Sequence, residues 1–266
     1  MIDTYIQNLK KELGDKKPDT LLILGSGLGS LADEIQNKII IKYEKIGFPK
    51  SSVSGHAGQL VVGTLGKTEV VCMQGRFHLY EGHDPKLIKN VMCAFKAIGV
   101  KNLVVTNAAG SLNTDMPAGS LMLINDHINF SGKNPLLGAN DEKYGPRFVD
   151  FSNTYDVNLR NKIKKIAEQS DIKLYEGVYL MVLGPNFETA AEIKAFKILG
   201  ADAVGMSTVP EVMSAVYSGM KVLGVSVITN LGTGLKTSAQ SHTETLEQAQ
   251  KATQKLAKLL KEYMEK

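Results

Sequence analysis

Hydrophobic positions along this chain follow two alternating periods, and the alternation predicts the fold class. Residues 2–13 carry apolar side chains at helical spacing until Gly14 stops the pattern. Residues 20–24 form a short apolar run that leads into Gly25-Ser26-Gly27-Leu28-Gly29-Ser30, and a helical pattern follows to about Gln36. Strand, glycine turn and helix in that order mark an α/β protein. Further strands are predicted at 39–43, 60–64, 70–74, 103–107, 121–125, 178–183, 203–205 and 222–229. Further helices are predicted at 85–98, 157–169, 188–199, 211–219 and 243–263. Several strands between 39 and 74 follow one another with no helix between them. That argues for a mixed central β-sheet flanked by helices and against a purely parallel one. No repeat, low-complexity tract or shift in composition divides the chain, so one domain over 1–266 is the economical organisation. The longest irregular stretch, 130–151, is rich in Gly, Pro and Asn and is expected to serve a site or an interface.

Composition narrows the class without naming a function. The 266 residues are 43% hydrophobic and 22% charged, as expected of a globular protein with a substantial core. Net charge is +4, with the basic residues spread along helix faces rather than interleaved with aromatics. This points away from a nucleic-acid partner, while a mild positive field still favours an anionic substrate. Cys72 and Cys93 sit in apolar runs without metal-ligand spacing and read as buried, reduced thiols. No metal site is expected. The N-terminus has no apolar leader core, and no apolar run approaches the ~20 residues that span a bilayer. A cytoplasmic protein without a membrane partner is the expectation.

Six segments can carry chemistry. Gly25-Ser26-Gly27-Leu28-Gly29 has three readings: a phosphate loop, a tight structural turn, or an imperfect dinucleotide loop. The third glycine of a dinucleotide fingerprint is Ser30 here, although Glu44 provides an acid near the expected distance. Gln74-Gly75-Arg76-Phe77-His78-Leu79-Tyr80-Glu81-Gly82 follows a strand, where α/β proteins place ligand loops. Arg76 offers a planar fork for phosphate, and Arg76, His78 and Tyr80 alternate, so an extended segment would point them to one side. Glu81 can orient His78. Thr106-Asn107-Ala108-Ala109-Gly110-Ser111 can face backbone amides to a ligand, or be a plain turn. In Gly184-Pro185-Asn186-Phe187-Glu188-Thr189, an aromatic face and a carboxylate suit a flat heterocycle with ring N–H donors. The same segment also reads as a helix start capped by Asn186 or Thr189. Met206 and Ser207 precede a helix, with Met206 equally readable as core. Asn230 ends a buried strand and has both donor and acceptor for a purine edge, while His242 opens the last helix.

Taken in order, these segments, with Gly55-His56-Ala57-Gly58 and Gly205-Met206-Ser207-Thr208-Val209-Pro210-Glu211, resemble the trimeric purine nucleoside phosphorylases that prefer 6-oxopurine nucleosides. The resemblance covers nearly the whole chain. It implies a single α/β domain with a distorted mixed sheet, assembled as a homotrimer. It implies that Ser26, His56, Arg76, His78, the Ala108 amide and Ser207 hold phosphate. It further implies that Tyr80, Met206 and His242 hold the ribose, while Glu188 and Asn230 read the purine beside Phe187. His78, Glu188 and Asn230 are the catalytic candidates. The resemblance places Tyr179 close to the base and has Tyr144 complete the neighbouring subunit's site. No cofactor is implied, because inorganic phosphate is a co-substrate. The related methylthioadenosine phosphorylases use an aspartate where this chain has Asn230, which implies inosine and guanosine rather than adenosine as substrates. The loop Leu231-Gly232-Thr233-Gly234-Leu235 departs from the animal members and reads as a mobile lid, leaving His242 the least secure placement. Three rivals remain: a water-using nucleosidase, a dinucleotide-dependent oxidoreductase, and a purine- or phosphate-binding module without turnover.

Overall fold

The computed structural model describes residues 1–49, 57–235 and 242–266. Nine strands form one mixed sheet: β1 (Thr20–Leu24), β2 (Gln36–Lys42), β3 (Gln59–Leu65), β4 (Thr68–Gln74), β5 (Asn102–Ser111), β6 (Leu121–Asn129), β7 (Leu174–Met181), β8 (Ala203–Gly205) and β9 (Lys221–Leu231). The helices are α1 (Ile2–Leu13), α2 (Tyr43–Ile46), α3 (Pro85–Ala97), α4 (Val157–Gln169), α5 (Ala190–Ile198), α6 (Val209–Tyr217) and α7 (His242–Glu265).

The sheet runs β2-β3-β4-β1-β5-β8-β7-β6-β9, and β9 also pairs with β5. It therefore closes on itself. Strands β5, β8, β7, β6 and β9 form a ring, and β1, β4, β3 and β2 extend from β5 as an open wing. β5 is long enough to make the junction. Residues 102–105 pair with β1, residues 102–111 pair with β9 on the other side, and Gly110 and Ser111 alone pair with β8. β1 is buried along its whole length, which explains why its sequence is an unbroken apolar run rather than an alternating one. The wing strands β2, β3 and β4 are antiparallel neighbours; β3 and β4 follow one another directly, while the one-turn helix α2 lies between β2 and β3, where no helix is predicted.

Helices cover both faces. Tyr5 and Leu9 of α1, Ile88, Val91 and Phe95 of α3, and Val212 of α6 pack on one side with Leu21, Ile23, Leu103 and Val105. Ile163 and Ile166 of α4 and Leu256, Leu259 and Leu260 of α7 pack on the other with Leu22, Leu24, Val104 and Val225. A smaller cluster joins Ile193 and Phe196 of α5 to Leu180 and Val204. No helix among the described residues is long and apolar enough to cross a membrane.

Three local readings change. The helical pattern after Gly29 is a six-residue 3-10 helix, Gly29–Glu34, and Gln36 already begins β2. So no α-helix N-terminus backs the glycine turn. The helix expected from residue 188 starts at Ala190, because Thr189 is its cap: the Thr189 hydroxyl accepts from the Glu192 amide and the Glu192 carboxylate accepts from the Thr189 amide. Glu188 is thereby left in the loop ahead of the helix. Strand β7 starts at Leu174 and ends at Met181, before the turn at Gly184-Pro185.

Candidate active site

The C-terminal ends of β1, β4, β5, β8 and β9 converge on one cavity of about 770 Å³. Ser26 after β1, Arg76, His78 and Tyr80 after β4, and Ala108 and Gly110 of β5 line it. Phe187 and Glu188, Met206 and Ser207 after β8, and Thr229 and Asn230 of β9 complete the wall together with residues 231–234. Segments up to about 200 residues apart in sequence thus meet because the strands that deliver them are hydrogen-bonded neighbours in the ring and wing.

Close approach of backbones builds the base of the site. A Cβ on Gly25 would lie 2.7 Å from the Asn107 Cα, so only glycine lets the β1 turn lie against β5. The Gly25 amide donates to the Thr106 hydroxyl (3.2 Å), which in turn donates to the Ile23 carbonyl (3.0 Å). The buried Tyr43 hydroxyl donates to the Gly75 carbonyl (2.7 Å) and anchors the start of the Arg76–His78 segment.

One end of the cavity is rich in fixed polar groups. Arg76 is only 1% exposed. Its Nη1 donates to Ser207 Oγ (2.7 Å) and Thr208 Oγ1 (3.3 Å), and its Nε lies 3.1 Å from Glu211 Oε1. Thr208 is wholly buried with φ +79° and ψ −52°, a conformation rare for a β-branched residue. The Val209 amide donates to the Ser207 carbonyl (2.9 Å), closing a γ-turn centred on Thr208. Such strain costs about 1–3 kcal/mol and persists where surrounding bonds over-determine it. Here Asn107 Nδ2 donates to Thr208 Oγ1 (2.8 Å), alongside Arg76 and Ser207. Next to this network, the His78 ring stacks on Tyr80 with centroids 4.6 Å apart. The Glu81 carboxylate accepts from the His78 amide (2.8 Å) and lies 3.4 Å from His78 Nδ1. Arg76, His78 and Tyr80 all reach the cavity, although residues 79–81 form a 3-10 turn rather than an extended segment.

The other end presents a carboxylate and an amide. Glu188 is half-buried, and desolvation, with a further contribution from Glu192, raises its pKa above the ordinary carboxylate range. Asn230 Oδ1 accepts from the Thr229 hydroxyl (2.8 Å), and Asn230 Nδ2 donates to the Leu231 carbonyl (3.0 Å). A Cβ on Gly110 would come within 3.2 Å of Asn230 Nδ2, so the bulge at Ala109/Gly110 also sets where this amide sits. Met206 packs between the two ends, its Sδ filling the space a side chain on Gly184 would need.

Not every expected residue is in the wall. Tyr179 is wholly buried behind it: its hydroxyl accepts from the Ser207 amide (3.4 Å), and a Cβ on Gly205 would approach it to 2.4 Å. Tyr179 is not among the residues that line the cavity. Tyr144 is not among the lining residues of its own chain's cavity. Its hydroxyl donates to Asp3 Oδ1 (3.2 Å) and the Lys143 ammonium lies over its ring. His56 and the His242 side chain lie outside the described residues. Sequence reasoning missed Thr208, Glu211, Thr229 and Tyr43. An acid in the first turn of a helix reads simply as a complement to the helix dipole, so nothing in the pattern marked Glu211 as buried. Among the described residues, no group of three or more His, Cys, Asp or Glu side chains could hold a metal ion.

Residues 19–265 match the phosphorylase superfamily. The chain is 50% identical to purine nucleoside phosphorylase 1 of Bacillus subtilis over 92% of its length and 91% of that protein's. Two solved Schistosoma mansoni structures superpose over the whole chain. Purine nucleoside phosphorylase with inosine does so at 37% identity, TM-score 0.92 and 95% of its own length. Its isoform 2, with cytosine and ribose-1-phosphate, does so at 39% identity, TM-score 0.93 and 95% of its length. The chain belongs to the phosphorylase superfamily.

The packing of Tyr179 under the site is testable. Gly205→Ala is expected to cost about 1–3 kcal/mol by overpacking. Tyr179→Phe, which removes the crowding oxygen, is expected to shrink that cost, as read from denaturant unfolding of the two single variants and the double variant.

Proposed function

We propose that the chain is an enzyme that cleaves purine nucleosides with inorganic phosphate, yielding free base and ribose 1-phosphate. The observation that carries the reading is a single cavity lined both by Arg76, Ser207 and His78 and by Glu188 and Asn230. Its volume suits one nucleoside with a small anion. The relatives support it by name, and the Schistosoma proteins by the inosine and ribose-1-phosphate they hold.

In this reading phosphate sits among Ser26, His56, Arg76, His78, the Ala108 amide and Ser207. Tyr80, Met206 and His242 hold the ribose, and Phe187, Glu188 and Asn230 hold the purine. A phosphate oxygen attacks C1′ as the bond from C1′ to the purine nitrogen breaks, through a state with ribosyl-cation character. Holding the nucleophile beside C1′ supplies rate through proximity. The departing purine gains negative charge and finally a proton. A donor from Asn230 at N7 and O6 strengthens as that charge develops, so it favours the transition state over the ground state. Glu188 accepts from ring N1–H. The chain works as one domain in a cytoplasmic homotrimer, with Tyr144 reaching a neighbour's site, and needs no cofactor.

Hypoxanthine release from inosine is expected to require phosphate, and adenosine turnover to be much slower. Asn230→Asp is expected to shift the ratio toward adenosine. Release at equal rates without phosphate identifies a nucleosidase instead, and equal adenosine turnover in the wild type removes the 6-oxo preference. The raised pKa of Glu188 yields a second expectation. The ionised carboxylate is the acceptor, so hypoxanthine affinity falls as pH drops through that pKa, which lies above the ordinary carboxylate range. Calorimetric titration across pH checks this, and Glu188→Gln is expected to flatten that limb.

A further inference from the structure

Glu211 has no part in the roles proposed above, yet it is the carboxylate in contact with the guanidinium at the anion end of the cavity. Arg76 and Glu211 have side-chain exposures of 1% and 5%, and Nε and Oε1 are 3.1 Å apart. Burying two charges is costly, and a buried pair is weak evidence of a stabilising purpose. It also opposes the most obvious function, since a carboxylate beside Arg76 weakens the pull of that cation on an incoming anion. Geometry resolves the conflict. A guanidinium is a rigid plane, so two fixed corners determine its orientation. The Nη1 corner is held by hydrogen bonds to the Ser207 and Thr208 hydroxyls, and Glu211 meets the Nε edge as an ion pair, with Nε and Oε1 3.1 Å apart. Both anchors come from one short piece of chain. The γ-turn at Thr208 leads directly into α6, whose first turn carries Glu211. Pro210 stands at the start of that helix, where its missing N–H leaves no bond unmade.

We propose that Glu211 is a positioning residue for phosphate: it fixes the plane of Arg76 through its length and its acceptor oxygen, at the expense of some electrostatic attraction. The inference rests on the phosphorolytic reading and refines it. Three variants separate length from charge. Glu211→Gln keeps the length and the acceptor but loses the charge. Glu211→Asp keeps the charge but draws the oxygen back by one methylene. Glu211→Met keeps the length but loses the acceptor.

Steady-state kinetics with inosine and phosphate each varied is the test. Glu211→Gln is expected to leave the phosphate KM unchanged or lower. Glu211→Asp and Glu211→Met are expected to raise it by about tenfold or more, the order of loss that ~1 Å of misplacement produces, with the inosine KM nearly unaffected. Either of these two that folds, judged by its cooperative unfolding, suffices for comparison with Glu211→Gln. A general structural role predicts lowered stability without that split between the two KM values, and that result overturns the proposal. So does a Glu211→Gln enzyme whose phosphate KM rises as far as that of Glu211→Asp, since charge would then be what matters. If the wild type shows no phosphate dependence at all, the phosphorolytic reading itself falls, and this is seen before any variant is compared.

Discussion

A guanidinium removed from water organises this site. Arg76 follows directly from β4, yet its partners Ser207, Thr208 and Glu211 lie more than 130 residues later at the start of α6. Arg76 is only 1% exposed, so its charge meets protein groups far more than solvent. Everything that meets it must therefore be polar, fixed and correctly placed. Removing one partner of a buried pair typically costs about 3–5 kcal/mol, because the other charge is left uncompensated. The strained Thr208 backbone and its threefold-shared hydroxyl follow from this requirement.

The fold exists in a form that permits this meeting. An open sheet would keep β4 and β8 on separate flanks. Closing the sheet through β5, which pairs with β1, β9 and β8, brings the end of β8 over the ends of β1 and β4. The cost falls on glycines at close approaches: Gly25 against the Asn107 backbone, and Gly110 and Gly205 against the Asn230 and Tyr179 side chains. The same cavity is lined by the polar network around Arg76 and by the half-buried Glu188 and Asn230.

Elements set by local chemistry were legible in the sequence. β1 is an unbroken apolar run and α1 ends at a glycine, so their bounds could be read directly. The mixed sheet was legible from β3 and β4, which follow one another without a helix, although the short α2 between β2 and β3 was not. Ring closure was not, because pairing of β5 with β9 depends on contacts more than a hundred residues apart and leaves no local period. The Arg, His and Tyr clustered after β4 all line the cavity, and the ordered motifs pointed to the family. Tyr179 is wholly buried and supports the wall through its hydroxyl, which accepts from the Ser207 amide. Glu211 was hidden because an acid near a helix start is usually solvated.

Phosphorolysis at this site requires the buried Arg76 to anchor an anion. Calorimetric titration of inorganic phosphate into the wild-type protein and into Arg76→Met, each shown to unfold cooperatively, tests this without turnover. Saturable binding to the wild type that is lost in Arg76→Met is the predicted result. Equal binding by both proteins would contradict it.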